Sequence, residues 1–179
     1  MVLEIPTLKP PYDSGMCGAG WHPISSERGY PAYLAVNREA NGTIPPTPTP
    51  QPTPPVARWS LAVPSSGSYQ VEAFIPAHGA IDWQCPAVQL PGDTASAHYT
   101  VQHAGGSTTV VANQAAASGG WLLLGVYSFS ADQPAAVQLD TVTDEPVNTR
   151  TVSAGALRLT QQGDTPGTRR LYLPQIRRQ

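Results

Sequence analysis

Charge is scarce in this chain. Asp, Glu, Lys and Arg make up 12% of its 179 residues, about half the roughly 25% usual in soluble domains. A net charge of −2 gives no electrostatic reason to expect nucleic acid or an anionic membrane surface as a partner. The one basic cluster, Arg169, Arg170, Arg177 and Arg178, has no interleaved aromatics and is weak ground for phosphate binding. No apolar run approaches the ~18–20 residues of a membrane span. The opening MVLEIPTLKP has neither a basic n-region nor an apolar h-region, so no signal peptide is visible in it. The expectation is a secreted chain whose sequence starts after processing or truncation.

Helical periodicity is missing too: no segment keeps a 3.6-residue apolar repeat beyond two turns. Phosphate loops, GxGxxG, G-x-S-x-G elbows and HExxH pairs are absent, which removes the commonest nucleotide, serine-hydrolase and zinc-protease classes. His98 and His103 lie an odd number of residues apart on one strand-like segment, so they face opposite ways and cannot act as a pair. No enzyme and no cofactor are expected. Cysteine is limited to Cys17 and Cys85. In a secreted chain the natural reading is one disulfide, worth roughly 2–4 kcal/mol. Free thiols, or a metal site with His22 and His78, are the alternatives, although Cys-x4-His and His-x6-Cys are not standard zinc spacings.

What the sequence does have is β punctuation. Its 20 prolines and 16 glycines stay below the roughly 25–30% that marks unstructured low-complexity chains. From Arg58 onward, short segments with a two-residue apolar period alternate with turn clusters. In SYQVEAFIP, Tyr69, Val71, Ala73 and Ile75 share one face while Gln70 and Glu72 take the other. SAHYTVQH and STTVVANQ are joined by AGG, which supplies the positive-φ positions of a hairpin. GGWLLLGVYSF reads as a central strand buried on both sides, and AAVQLDTV and TVSAGALRLT complete the set. The pattern predicts an all-β protein, an antiparallel β-sandwich or jelly roll, with an irregular N-terminal arm. In the run from Ile44 to Pro55, seven of twelve residues are proline. Such a run is extended, polyproline-like and unable to pair inside a sheet. If Cys17 and Cys85 are bridged, it is an excursion at 44–56 within one domain spanning 11–160; otherwise a linker is also open. Residues 161–179 form a tail or an extra edge strand.

A longer pattern carries a family resemblance. Trp59 with Leu61; Gly67, Tyr69, Val71, Ala73 and Pro76; Ala97, Tyr99, Val101, His103 and Gly106; Gln114; and Gly120, Trp121, Leu124, Gly125, Tyr127 and Phe129 follow the recurring phrases of the golvesin C-terminal-like domain. That module is also appended to xanthan lyases. The resemblance covers about residues 58 to 160 well and the N-terminal part loosely. It departs at SAGALRL, where Gly155 stands in place of the family's aspartate, and at the IDWQCP loop and the proline run, which look like insertions. It implies a β-sandwich accessory module of secreted bacterial proteins. Trp59 and Trp121, at family strand positions, are expected in the core.

Candidate ligand positions follow from chemistry. Sugar binding needs an exposed aromatic face with polar groups fanned around it. Trp83 with Asp82 and Gln84 fits that description, and Trp21 with His22 is a second candidate; packing is the alternative for Trp83. Asp140, Asp144 and Glu145 form an acidic loop that is a weak calcium candidate and otherwise a solvated surface. His103 and Gln114 read as polar groups satisfying turn backbone. The partner expected is a polysaccharide or a neighbouring surface protein, and a homo-oligomer is possible. The rival reading is a structural subunit of an extracellular fibre or surface layer, assembling through its N-terminal arm or C-terminal tail.

Overall fold

The computed structural model describes residues 20–26, 28–39, 55–84, 87–163 and 169–176. Cys17, Cys85 and the proline run up to residue 54 lie outside the described residues, and the disulfide expectation with them. In chain order the strands are β1 (His22–Ile24), β2 (Ala32–Val36), β3 (Arg38–Glu39), β4 (Val56–Leu61), β5 (Gly67–Ile75), β6 (Ile81–Gln84), β7 (Ala87–Leu90) and β8 (Ala97–His103). They continue as β9 (Gly106–Ala112), β10 (Gly120–Phe129), β11 (Ala135–Asp140), β12 (Val142–Thr143), β13 (Thr151–Ala154), β14 (Leu157–Gln161), β15 (Arg169–Tyr172) and β16 (Gln175–Ile176). A 3₁₀ turn, Ala115–Ala117, links β9 to β10.

Two sheets make an antiparallel sandwich. One has five strands in the order β16-β4-β11-β8-β9, the other four in the order β10-β5-β14-β15. Their facing sides carry the period-two residues: Tyr69, Val71, Ala73 and Ile75 from β5, Ala97, Tyr99 and Val101 from β8, and Trp59, Val137, Leu139, Leu157 and Leu159 from their neighbours. Each large side chain removed from water in this layer contributes about 1.5–3 kcal/mol. Three smaller sheets sit beside the sandwich: β1-β2-β13, the parallel pair β3-β12 and the hairpin β6-β7.

β13 runs on into β14 through Gly155 and Ala156, which carries the chain from the three-stranded sheet into the sandwich. The Phe74 amide donates to the Ala156 carbonyl here at 2.8 Å, and the Trp59 indole donates to the Gly155 carbonyl at 3.0 Å. A Cβ on residue 155 would lie 2.3 Å from the Phe74 carbonyl oxygen. Backbone therefore occupies the space that the family's aspartate would need, and glycine is obligatory in this crossing.

β10 departs from its expected place. It is an edge strand, paired only with β5, and Leu123 and Val126 on its outer side are more than half exposed. The strand also carries a bulge: the register shifts between Leu123 and Gly125, so Leu122 and Leu124 face the core before it and Tyr127 and Phe129 after it. Trp121, expected in the core, is half-buried on the outer side of this sheet, opposite Phe74. It packs against Phe74 and Tyr30. The Arg158 guanidinium stacks 4.2 Å from the Trp121 ring centroid and makes two 2.7 Å bonds to Glu72.

Candidate functional site

One end of the sandwich is organised by polar side chains rather than apolar ones. Asn37, fully buried just after β2, meets the loop between β12 and β13 with its whole bonding capacity. Its amide nitrogen donates to the Thr143 hydroxyl and to the Glu145 and Pro146 carbonyls. Its side-chain oxygen accepts from the Thr149 and Arg150 amides, both at 2.9 Å. This fixes a loop that includes Asn148 at φ 60 and presents Glu145 and Arg150.

Opposite them, the β6-β7 hairpin leaves and rejoins the body between His78 and Asp93. The His78 Nε2 and an Asp93 carboxylate oxygen are 3.0 Å apart, both side chains being almost wholly buried. The same Asp93 oxygen accepts from the Thr151 and Ser153 hydroxyls at 3.0 and 2.6 Å. His78 Nδ1 lies 2.8 Å from the Gly79 carbonyl. Burial on its own would lower the pKa of His78. The Asp93 hydrogen bond and charge, together with the Gly79 carbonyl, outweigh it and raise the pKa above the ordinary value. An oxygen acceptor stands at each ring nitrogen, an arrangement that favours the protonated ring over the neutral one.

Gln114 completes the arrangement. Entirely buried, it donates to the Tyr99 hydroxyl (2.7 Å) and the Ser153 carbonyl (2.8 Å) and accepts from the Ser153 amide (2.9 Å). It thereby acts as an extra backbone partner for β13. Burial pushes the Tyr99 phenol well above its usual range, with the Gln114 contact working against that and the Asp93 charge adding to it. Glu145 accepts from the Thr94 hydroxyl and the Ala95 amide, and lies 3.5 Å from Arg150 Nε.

Between these groups lies a cleft of about 380 Å³ lined by Pro91, Asp93, Ala95, Ser118, Glu145 and Arg150, with His78 at its wall. Its apolar patches come from proline and alanine. Its accessible polar groups are the Arg150 guanidinium, the Glu145 carboxylate and the Ser118 side chain. Such a cleft can exchange hydrogen bonds with a polyhydroxylated ligand. His78 is paired with Asp93 and Arg150 with Glu145, so the charged side chains of the cleft are held in fixed orientations.

The sequence-derived candidates lie around this cleft rather than in it. Trp83 is 5% exposed and packs with Val36 and Leu90, its ring meeting His22 edge-on at 5.0 Å. It takes the packing alternative and seats the hairpin on β1-β2-β13. Trp21, 8% exposed, belongs to the main core. Asp82 accepts from the exposed Gln89 amide at 3.0 Å, and Gln84 follows on β6 with its side chain outside the described residues. The acidic trio diverges. Asp140 accepts from the Val142 amide, Asp144 lies 3.3 Å from His98, and Glu145 turns to Thr94. Among the described residues, no three His, Cys, Asp or Glu side chains are grouped to hold a metal ion. His103 does satisfy turn backbone, accepting from the Gly105 amide, and it also stacks on Tyr127. Gln114 serves β13 instead of the turn.

Asn37, Asp93 and Arg150 had no ligand signal in the sequence, and His78 stands out there only as an alternative metal ligand. Asn37 and Asp93 meet partners far along the chain, and Arg150 pairs with Glu145 across a loop whose fold is not a local pattern. No helix among the described residues is long and apolar enough to cross a membrane. Comparison with curated proteins and with solved structures gave no significant match. The golvesin C-terminal domain model matches residues 33–161. That segment runs from β2 to the end of β14, so it takes in both walls of the cleft and all of the sandwich except the tail strands. The chain belongs to the golvesin C-terminal domain family, a domain of accessory type.

Proposed function

We propose that this protein is a non-catalytic extracellular accessory module, and that it holds a polysaccharide or a neighbouring surface protein in the cleft between Arg150, Glu145 and Ser118. We take residues 11–160 as one working unit with the proline run as an excursion from it. The observation that carries the reading is the internal pairing of His78 with Asp93 and of Arg150 with Glu145. Charged groups held in place by their own pairing present fixed donors and acceptors that can orient the hydroxyl groups of a ligand. Trp83 and His22 serve the site by seating the hairpin whose base forms one wall, with Asp82 on its exposed side, while Trp21 serves the main core.

The test is affinity electrophoresis in gels cast with neutral and with acidic polysaccharides. Retardation that disappears in Arg150→Ala and Glu145→Gln, with the fold intact, supports the cleft. Retardation unchanged in both moves the ligand elsewhere.

The second reading, a structural subunit, draws on the tail. β15 pairs with β14 and β16 with β4, and the Tyr172 hydroxyl donates to the Ala62 carbonyl at 2.6 Å. One tail thus bridges both sheets, a contact that a neighbouring copy could supply. A fibre subunit elutes at high mass and disperses when the chain is cut before Arg169.

A further inference from the structure

Each of the two main sheets ends in two edge strands, and the four edges differ in how well they are protected. A sheet edge displays unpaired backbone donors and acceptors, so soluble proteins blunt it with charge, proline, bulges or brevity. β16 has two residues, preceded by Pro174 and followed by Arg177 and Arg178 in the sequence. β15 has four residues, with Arg169 and Arg170 among them. β10 is long but bulged. Among the described residues, β9 has none of these devices.

β9 reads Gly-Ser-Thr-Thr-Val-Val-Ala over seven residues without a charge or a proline. It pairs with β8 through seven consecutive positions with no shift of register, so it is straight. Residues 106–109 and Val111 are exposed, Val111 at 57%. A straight, neutral, β-branched segment of this length has the composition that adds strands most readily.

We propose that β9 is a docking edge, and that its occupant is β9 of a second copy of this chain. The two would run antiparallel about a two-fold axis near Thr109 and join two five-stranded sheets into one of ten strands. Three observations select a second copy. The edge is neutral, so two of them meet without repulsion. An antiparallel pair of identical strands satisfies two-fold symmetry with the same patch on both partners. The other three edges are guarded, so assembly stops at two. The dimer rests on neither reading of the cleft, and it would present two clefts to one polymeric ligand.

The experiment is light scattering on the eluting full chain across a concentration series, with hydrogen exchange of residues 106–112. A concentration-dependent dimer whose β9 amides gain protection on association is the expected result. Thr109→Lys and Val111→Lys, both at exposed positions, should each return the chain to a monomer that still unfolds cooperatively and whose Tm no longer depends on concentration, while Leu171→Lys on β15 remains dimeric. A monomer at the highest concentration overturns the proposal, as does a dimer that survives both β9 variants. Assemblies larger than two also overturn it and favour the tail-mediated fibre. Polysaccharide retardation by a monomer would leave the cleft reading standing while removing this one.

Discussion

The interior of the sandwich and its polar end are held by opposite means. Between the two main sheets, apolar side chains such as Trp59, Val71, Val137 and Leu159 pack with almost no exposure, and their contribution scales with the area removed from water. At the end built from β1-β2-β13 and β6-β7, the small cluster of Val36, Trp83 and Leu90 is supplemented by Asn37, Asp93 and Gln114, which reach directly for backbone and hydroxyl groups. Apolar packing tolerates small adjustments. A buried polar hub does not, because removing one partner leaves several groups without water or a replacement. The polar end should therefore be the more position-specific of the two, and it is also where the cleft lies.

The largest effect should come from the interior. Trp59→Ala removes the central indole and its bond to Gly155, and should cost about 3–5 kcal/mol, read as a lowered denaturation midpoint with the transition still cooperative. Next comes the polar hub. Gln114→Ala strands the Ser153 amide and carbonyl and the Tyr99 hydroxyl, a loss of about 2–4 kcal/mol. Hydrogen exchange should accelerate first in β13 and β2, ahead of β8 and β11. If the four strands lose protection together, the two regions are one cooperative unit and the contrast between them fails.

The sequence showed the first region and hid most of the second. The alternation in SYQVEAFIP gave β5 its correct inner face, because a two-residue period is local and needs no knowledge of the partner strand. GGWLLLGVYSF misled for a physical reason: an unbroken apolar run reads alike whether the strand is central or is bulged at an edge, and only the pairing register shows the bulge. The hubs were invisible in a different way. Asn37 meets the loop 106 to 113 residues later, and Gln114 meets Ser153 39 residues on, so neither makes a local pattern. Gln114 stands out in the sequence only as part of the family phrase and as a polar group for turn backbone, not as a partner of β13. Trp83 looked like a platform because its neighbours are polar, yet those neighbours alternate on a hairpin whose other side packs on Val36.

A smaller effect is expected on the outer side of the four-stranded sheet. Arg158→Lys keeps the charge but loses the two-pronged bond to Glu72 and the flat stack on Trp121. It should cost about 1 kcal/mol and shift the tryptophan emission, whereas an equal substitution at Arg150 should leave emission unchanged. That separates a stabilising arginine from one placed for a ligand.

The smallest effect tests whether the polar end has a charge state of its own. The folded pKa of His78 is raised above 6.5, so the native state binds this proton more tightly than the unfolded chain does. The stabilisation is fully present below pH 6.5 and is lost as pH rises through the folded value. Urea midpoints of the wild type should therefore decline across the interval just above pH 6.5, and His78→Gln should flatten that decline while leaving the alkaline limb unchanged. Asp140, whose pKa is also raised, chiefly by burial against the opposing Val142 bond and His98 charge, is separated from the effect by Asp140→Asn, which should leave the His78-dependent decline in place. A decline that persists in His78→Gln would assign it to another group. It would also mean that the His78–Asp93 pair holds the base of the hairpin as a neutral hydrogen bond, and the cleft would then carry one cation fewer than its geometry indicates.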